Sequence, residues 1–131
     1  MPSDSMPNSS QEKLVQDTFA RLENSVKEND CIMFSTSVCP YCDYAKDFIQ
    51  KFGKQCKRVE LDRPENSMLA AVVANVTNQR TVPNIFLKGM HVGGYQELLE
   101  VEKQCGTQGS VLRSSEMFAE VCGFFRHTDT A

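Results

Sequence analysis

Residues 31–42 read CIMFSTSVCPYC, and this stretch decides how the rest of the chain is interpreted. Its first four residues are apolar and lie between polar residues, which predicts a short buried strand. Apolar residues then recur at helical spacing after Cys42, at positions 45, 48, 49 and 52. A strand that passes directly into a helix places Cys39 at the first helical turn. Backbone N–H groups lack partners there, and the helix dipole is positive.

The overall composition restricts the class of protein. A chain of 131 residues with 40% hydrophobic residues predicts one domain with a packed core. Its 14 Lys and Arg against 17 Asp and Glu give a net charge of -3, which does not supply the basic stripe of a nucleic-acid binder. No apolar run approaches the roughly 18 residues of a membrane span, and residues 1–9 lack the features of a secretory signal. We therefore expect a soluble cytoplasmic protein.

The two ends of the chain differ from its middle. Residues 1–10 contain two prolines and several serines without periodicity, which predicts a disordered leader. Residues 11–125 are expected to form one domain that ends in an extended helix, and residues 126–131 a polar tail.

Helical and strand patterns alternate along the domain. A helix separates the first two strands, which must therefore run parallel, whereas Lys88-Gly89 predicts a two-residue hairpin turn between the last two. Asp62 is expected to cap the third helix. The patterns predict helices near residues 9–28, 40–53, 62–76, 95–103 and 111–125, and strands near 31–34, 57–61, 84–87 and 90–92. Together they predict an α/β sandwich, with a four-stranded mixed sheet flanked by helices on both faces.

Cys39 and Cys42 form the one tight pair among six cysteines. A thiolate at Cys39 would accept hydrogen bonds from the first-turn N–H groups, so its pKa is expected to fall well below the free value of about 8.5. Cys42 lies one turn further in, within disulfide reach but more shielded. This asymmetry predicts Cys39 as the attacking nucleophile and Cys42 as the resolving thiol. Pro40 loses no hydrogen bond at the first helical position and stiffens the active-site loop.

A CxxC pair has two other common explanations. Zinc sites usually add a second CxxC or a His pair, and the sequence has no second tight pair, so no metal is expected. A structural disulfide across three residues closes too small a loop to stabilise much. Of the other cysteines, Cys31 and Cys56 are interpreted as small buried hydrophobes at strand starts, whereas Cys105 and Cys122 have no predicted role.

Thr81-Val82-Pro83 precedes the third strand, where a proline is restricted to the strand start. Spacing alone favours a trans turn proline, because only about one X–Pro bond in twenty is cis. A cis bond would instead direct the N–H and C=O of Val82 towards the cysteines, where they would pair with an extended peptide.

Three segments together resemble a dithiol glutaredoxin of the CPYC type. They are STSVCPYCDYAK (residues 35–46), QRTVPNIF (79–86) and HVGG (91–94), and the match runs in order from about residue 26 to residue 101. The resemblance implies a thioredoxin-like fold, a cis Pro83 and glutathione-dependent reduction of protein disulfides and protein–glutathione mixed disulfides. The absence of Trp distinguishes the chain from thioredoxin itself.

The same resemblance implies roles for individual residues. Cys39 would form the mixed disulfide with glutathione, Arg80 would contact its glycyl carboxylate, and the N–H groups near Gly94 would hold its γ-glutamyl end. The implied glutathione-binding set is Thr36, Tyr41, Arg80, Thr81, Val82, Pro83, Gly94, Tyr95 and Gln96. Thr36 stands where the family often has Lys, and Tyr95-Gln96 replaces a small residue and Asp. A preference for a related low-molecular-weight thiol therefore stays open.

The implied co-substrate is glutathione, the implied partners are glutathionylated or disulfide-bonded proteins, and we expect a monomer. An alternative is an iron–sulfur carrier, in which Cys39 from two chains and two glutathiones hold a two-iron cluster. Pro40 argues against the carrier because it stiffens the loop that must open for ligation. A redox-sensing adaptor that docks through the C-terminal helix is a third hypothesis, and it depends on the long segment after residue 104.

Overall fold

The computed structural model describes residues 9–106 and 116–126. These residues form helices α1 (Ser9–Glu28), α2 (Pro40–Gln50), α3 (Ser67–Thr77), α4 (Tyr95–Gly106) and α5 (Glu116–Phe124), and strands β1 (Cys31–Ser35), β2 (Lys57–Glu60), β3 (Asn84–Leu87) and β4 (Met90–Gly93). A short 3₁₀ turn, Pro64–Asn66, precedes α3. None of the described helices is long and apolar enough to cross a membrane.

The sheet has the strand order β2-β1-β3-β4. Strand β1 pairs with β2 in parallel, β3 pairs with β1 in antiparallel fashion, and β4 pairs with β3 in the same way. The predicted mixed sheet and hairpin are confirmed. Lys88 and Gly89 both have positive φ (52° and 82°), which is typical of the two-residue turn that matches the twist of a hairpin.

Each face of the sheet carries its own hydrophobic core. Successive residues of the central strand β1 point to opposite faces, so Ile32 and Phe34 pack against α1 and α3. Cys31 and Met33 pack on the other face, against α2, α4 and α5. Because β1 is buried on both sides, its sequence is a continuous apolar run rather than an alternating one. The predicted helices on both faces are confirmed.

Several element boundaries differ from the predicted ones. Helix α1 runs from Ser9 to Glu28 as its spacing predicts, so residues 9 and 10, which the predicted leader also included, are helical. Helix α4 continues to Gly106 instead of ending near residue 103, and the described part of the last helix, α5, covers nine residues. The rest of the predicted leader (1–8), the predicted start of the last helix (111–115) and residues 127–131 of the predicted tail lie outside the described residues.

Helices α1 and α3 bury fewer apolar side chains than their helical spacing predicts. Val15 and Phe19 on α1 and Val76 on α3 are exposed, although apolar residues at helical spacing ordinarily mark the buried side of a helix. The two helices instead meet the sheet through Leu22, Val72 and Val73, because each apolar stripe is wider than the surface that covers it.

Three disulfides join all six cysteines: Cys31–Cys56, Cys39–Cys42 and Cys105–Cys122. Cys31 is buried in the core and Cys56 packs against it, as interpreted, but the two are also bonded to each other, which the sequence analysis did not predict. Parallel β1 and β2 pair Ile32 with Lys57, so the preceding residues of the two strands are also neighbours, with Cα atoms 4.6 Å apart. Cys105 and Cys122, which had no predicted role, tie the last turn of α4 to α5.

Candidate active site

Cys39 is the residue that caps the N-terminus of α2. Its backbone is extended, and its Sγ accepts a hydrogen bond from the backbone N–H of Cys42 at 3.1 Å. Its carbonyl also accepts from the N–H groups of Cys42 and Asp43. Pro40 occupies the first helical turn, where its missing N–H costs no hydrogen bond. This is the geometry in which backbone amides stabilise a thiolate at a helix N-terminus.

The two active-site sulfurs differ in accessibility. They are bonded to each other, so the structure is the oxidised form. Cys39 keeps 7% of its surface exposed, whereas Cys42 has 0%. An incoming thiol or disulfide therefore reaches the sulfur of Cys39 first, and Cys42 is reached only through it.

A carboxylate from outside the CxxC motif anchors the loop before Cys39. Both carboxylate oxygens of Asp62 accept a hydrogen bond from the backbone N–H of Ser37 at 3.1 Å, and the Ser37 hydroxyl donates to the same group. The Ser37 hydroxyl, followed by its N–H, lowers the pKa of Asp62 below its usual 3.8. The prediction that Asp62 caps the third helix is wrong, because its carboxylate is held by Ser37 and Arg63 precedes the 3₁₀ turn.

Arg58 on β2 fixes the same loop from a second direction. Its Nε donates to the hydroxyl of Ser35 at 3.1 Å, and its Nη1 forms an ion pair of 2.8 Å with Asp43. Its Nη2 also lies 3.4 Å from the carbonyl of Thr36. Arg58 thus connects the end of β1 to the first turn of α2. Sequence reasoning missed this residue, and its one signal was a cation on the strand next to β1.

The Val82–Pro83 bond is cis, as the resemblance implies. The side-chain amide of Gln79 donates to the carbonyls of Thr81 and Pro83, both at 3.1 Å. These two bonds hold the backbone on either side of Val82. Gln79 is a further residue that sequence reasoning missed.

Two cavities that share Thr81 and Val82 contain the whole predicted glutathione-binding set. The first has a volume of about 420 Å³, and Thr36 and Arg80 lie on its wall. The second has a volume of about 270 Å³ and holds the rest of the set: Tyr41, Pro83, Gly94, Tyr95 and Gln96. The structure therefore brings all nine residues to one continuous region, and their roles in binding stay predictions.

Glu97 is a cavity residue that the sequence analysis did not select. Its Oε1 accepts a hydrogen bond from the N–H of Gly94 at 2.9 Å and so caps the start of α4. Gly93 has a φ of 116°, and a side chain there would meet Glu97 at 3.1 Å, so glycine is required. The available signal was an acid three residues after Gly94, the residue before the helix, which is half of a capping box.

Three tyrosine rings meet beside the active-site loop. Tyr41 and Tyr44 lie 5.5 Å apart between ring centroids, and each lies 5.9 Å from Tyr95. They are all the tyrosines of the chain. The sequence analysis selected Tyr41 and Tyr95 but not Tyr44.

In residues 9–106 and 116–126, no group of three or more His, Cys, Asp or Glu side chains is placed to hold a metal ion.

Comparisons with known proteins agree with this geometry. Residues 31–92 match the family described as Glutaredoxin. The chain is 40% identical over 75 residues to a glutaredoxin of Vernicia fordii, covering 56% of this chain and 72% of that protein. It is 41% identical over 80 residues to glutaredoxin-1 of Rhizophagus irregularis, covering 60% of this chain and 79% of that protein.

A solved structure shows the same fold over most of the chain. The buckwheat glutaredoxin–glutathione complex superposes with a TM-score of 0.67 at 27% identity, covering 86% of this chain and 96% of that one. The thioredoxin-like fold implied by the resemblance is thereby confirmed. With its strand order, its Cys39–Cys42 pair at a helix start and these relatives, the chain belongs to the glutaredoxin family.

Proposed function

We propose that the chain reduces protein–glutathione mixed disulfides and protein disulfides through Cys39 and Cys42, with glutathione as the electron donor. The observation that carries this proposal is the Cys39–Cys42 pair at the N-terminus of α2, in which only Cys39 keeps exposed surface, together with the two cavities that share Thr81 and Val82. The buckwheat relative was solved as a glutathione complex, which supports glutathione as the ligand of the corresponding region here.

Deglutathionylation requires one nucleophile. The Cys39 thiolate attacks the glutathione sulfur of the mixed disulfide, the old S–S bond breaks, and the protein leaves as a thiolate that takes a proton from water. A second glutathione thiolate then attacks the Cys39–glutathione bond. Glutathione disulfide leaves, and Cys39 returns as a thiolate.

Reduction of a protein disulfide also uses Cys42. Attack by Cys39 leaves a bond between Cys39 and one substrate cysteine, while the other substrate cysteine departs as a thiolate. Cys42, whose Cα lies 5.2 Å from that of Cys39, then attacks the Cys39 sulfur and releases the reduced substrate. The product is the oxidised pair, and two glutathiones return it to the dithiol with release of glutathione disulfide.

The cavities offer contacts for each end of the tripeptide. The guanidinium of Arg80 is a partner for the glycyl carboxylate, and the backbone of Thr81 and Val82 is available to the cysteinyl residue. The first N–H groups of α4 favour the anionic γ-glutamyl end. Glu97 already accepts one of these, from Gly94, so that end has less positive potential than an uncapped helix would give.

A mixed-disulfide reduction assay with single Ser variants tests the proposal. Cys39→Ser should abolish both activities, whereas Cys42→Ser should keep deglutathionylation and lose most reduction of protein disulfides. The matched control is Cys105→Ser/Cys122→Ser, which removes two cysteines away from the site and should keep both activities. Equal loss of deglutathionylation in Cys39→Ser and Cys42→Ser would contradict the assigned roles.

The same preparation distinguishes the iron–sulfur alternative. A colourless protein as isolated supports the reductase, and a brown protein with visible charge-transfer absorbance supports the carrier. Gel filtration tests the proposed monomer. Replacing glutathione by cysteine in the assay tests which low-molecular-weight thiol is preferred.

We also propose that the protein acts in the cytoplasm. The glutathione that the proposed reaction consumes is the main thiol reductant of that compartment, which supports the proposal. There it would hold Cys105 and Cys122 as free thiols, although the structure shows the two bonded to each other. Alkylation of thiols in intact cells tests the location. Free thiols at Cys105 and Cys122 support it, and a disulfide between them contradicts it.

A further inference from the structure

The three tyrosines form an aromatic cluster, Tyr41, Tyr44 and Tyr95, at the edge of the active site. Each ring lies within 5.9 Å of the other two, in the edge-on and tilted arrangements that aromatic pairs favour. Tyr41 is 55% exposed and Tyr44 is 53% exposed. The cluster therefore presents ring surface to solvent instead of filling a core.

A further exposed apolar side chain flanks the nucleophile in sequence. Val38, directly before Cys39, is 86% exposed and is the most exposed large hydrophobic residue that the structure describes. In sequence, Cys39 thus lies between the exposed Val38 and Tyr41 of the aromatic cluster. Exposed large apolar side chains that gather at a reactive group are typical of a surface that a partner covers.

The position of Tyr44 indicates which partner this is. The cavities described above already hold all the residues predicted to bind glutathione, and Tyr44 lines neither of them. A mixed disulfide has two halves that meet at the sulfur attacked by Cys39. If one half is the tripeptide in the cavities, the half over Tyr44 is the polypeptide.

Two carboxylates near the rings already have partners within the chain. Asp43 lies between Tyr41 and Tyr44 in sequence, and its carboxylate is paired with Arg58 at 2.8 Å. Glu97, which lines the second cavity with Tyr41 and Tyr95, accepts a hydrogen bond from the N–H of Gly94. These contacts favour an uncharged apolar group against the exposed rings.

We propose that Tyr44, held in the aromatic cluster, is a specificity-determining residue that selects polypeptide substrates with a bulky apolar or aromatic side chain beside the reacting cysteine. This inference rests on the proposed function and names the substrate class of the same site. Tyrosine rings suit this task because they offer a large contact area with little conformational entropy to lose.

Two glutathionylated peptides test the inference. They have the same length and charge and differ in the residue after cysteine, which is Phe in one and Ser in the other. For the unmodified protein we expect kcat/KM to be about threefold to tenfold higher for the Phe peptide, the range that one aromatic contact gives. Tyr44→Ala should bring this ratio close to one, and Tyr44→Phe should keep it, because the ring remains.

The matched control is Phe19→Ala. Phe19 is similarly exposed but lies on α1, which packs on the opposite face of the sheet, so the ratio should not change. If Tyr44 served only to pack α2 against α4, Tyr44→Ala would lower the melting temperature and leave the ratio between the two peptides as it was.

Tyrosine fluorescence gives a second readout that does not depend on turnover. The chain has no Trp, and its three tyrosines are the cluster, so emission reports on the cluster and on the cavity that Tyr41 and Tyr95 line. Both peptides carry the same glutathione, so a difference between them reports on the polypeptide half. In the Cys39→Ser/Cys42→Ser protein, which cannot exchange, the Phe peptide should change the emission at lower concentration than the Ser peptide.

The outcomes separate the inference from the proposed function. A peptide ratio of one in the unmodified protein, or an unchanged ratio in Tyr44→Ala, overturns the inference while Cys39-dependent activity upholds the function. If neither peptide is reduced, the proposed function fails. The fluorescence titration then decides the inference by itself, with equal affinity for both peptides overturning it.

Discussion

Opening the Cys105–Cys122 disulfide by Cys105→Ser/Cys122→Ser should cost about 3 kcal/mol of folding stability. The bond joins residues 17 apart in sequence and connects the end of α4 to α5. In the chain-entropy treatment, a closed loop of about that length removes about 10 cal/mol/K from the unfolded ensemble, hence about 3 kcal/mol at 25 °C. Both sulfurs belong to half-buried residues, so the loss of side-chain packing is a smaller contribution.

Urea unfolding without reductant measures this loss. For a protein of this size we expect the midpoint to fall by roughly 1–2 M urea and the melting temperature by roughly 10 °C. Reductant is unsuitable as the perturbation, because it also opens Cys31–Cys56 and the active-site pair.

The single variants are the internal control. Either Cys105→Ser or Cys122→Ser alone opens the bond, so each single variant and the double variant should lose about the same stability. Single losses that add up to the double loss would mean that packing, not the cross-link, is responsible. A double variant with the midpoint of the unmodified protein would refute the reasoning altogether.

Three further predictions concern titratable groups. In the reduced protein, Cys39 should react with iodoacetamide at a lower pH than Cys42, because only its sulfur faces first-turn amides; equal pH profiles would contradict this. Asp62→Asn should lower kcat/KM for mixed disulfides severalfold, because it loosens the loop at Ser37. The pKa of Asp62 is lowered in the folded state, so its protonation below about pH 4 costs folding stability. The Asn variant should therefore lose less stability in that range of pH. Burial lowers the pKa of His91 below 6.5, so the folded state binds fewer protons than the unfolded state. Folding stability should therefore fall as the pH drops through 6.5. His91→Gln should flatten the plot of unfolding free energy against pH in that range.

The sequence predicts the order of elements because each depends on local patterns. The apolar run of β1 and the proline after Cys39 need no knowledge of distant residues, and both lie where the pattern predicts. Pairings between strands are harder to predict. The bond between Cys31 and Cys56 depends on the register of β1 against β2, which periodicity does not specify.

The supports of the active-site loop were missed for the same reason. Ser37 and Asp62 are 25 residues apart, and Asp62 has an equally valid local role as a helix cap. The sequence pattern predicts that Arg58 is a solvated strand residue, yet its side chain contacts the carbonyl of Thr36, which lies 22 residues earlier in the chain. Long-range polar contacts of this kind carry no periodic signal, so a single sequence does not reveal them.

The difference between the two active-site sulfurs comes from the fold rather than from the CxxC motif. The motif is symmetrical in composition, and in a flexible loop both thiols would meet solvent. Here Arg58 and Asp62 fix the residues before Cys39, which keeps 7% of its surface exposed. The first turn of α2 carries Cys42 to complete burial in the core that also holds Leu98 of α4. The sulfur of Cys39 is thereby available to attack the substrate, and the sulfur of Cys42 is available to resolve the mixed disulfide that results. A change that loosens the loop should therefore reduce the distinction between nucleophile and resolving thiol even when both cysteines are intact.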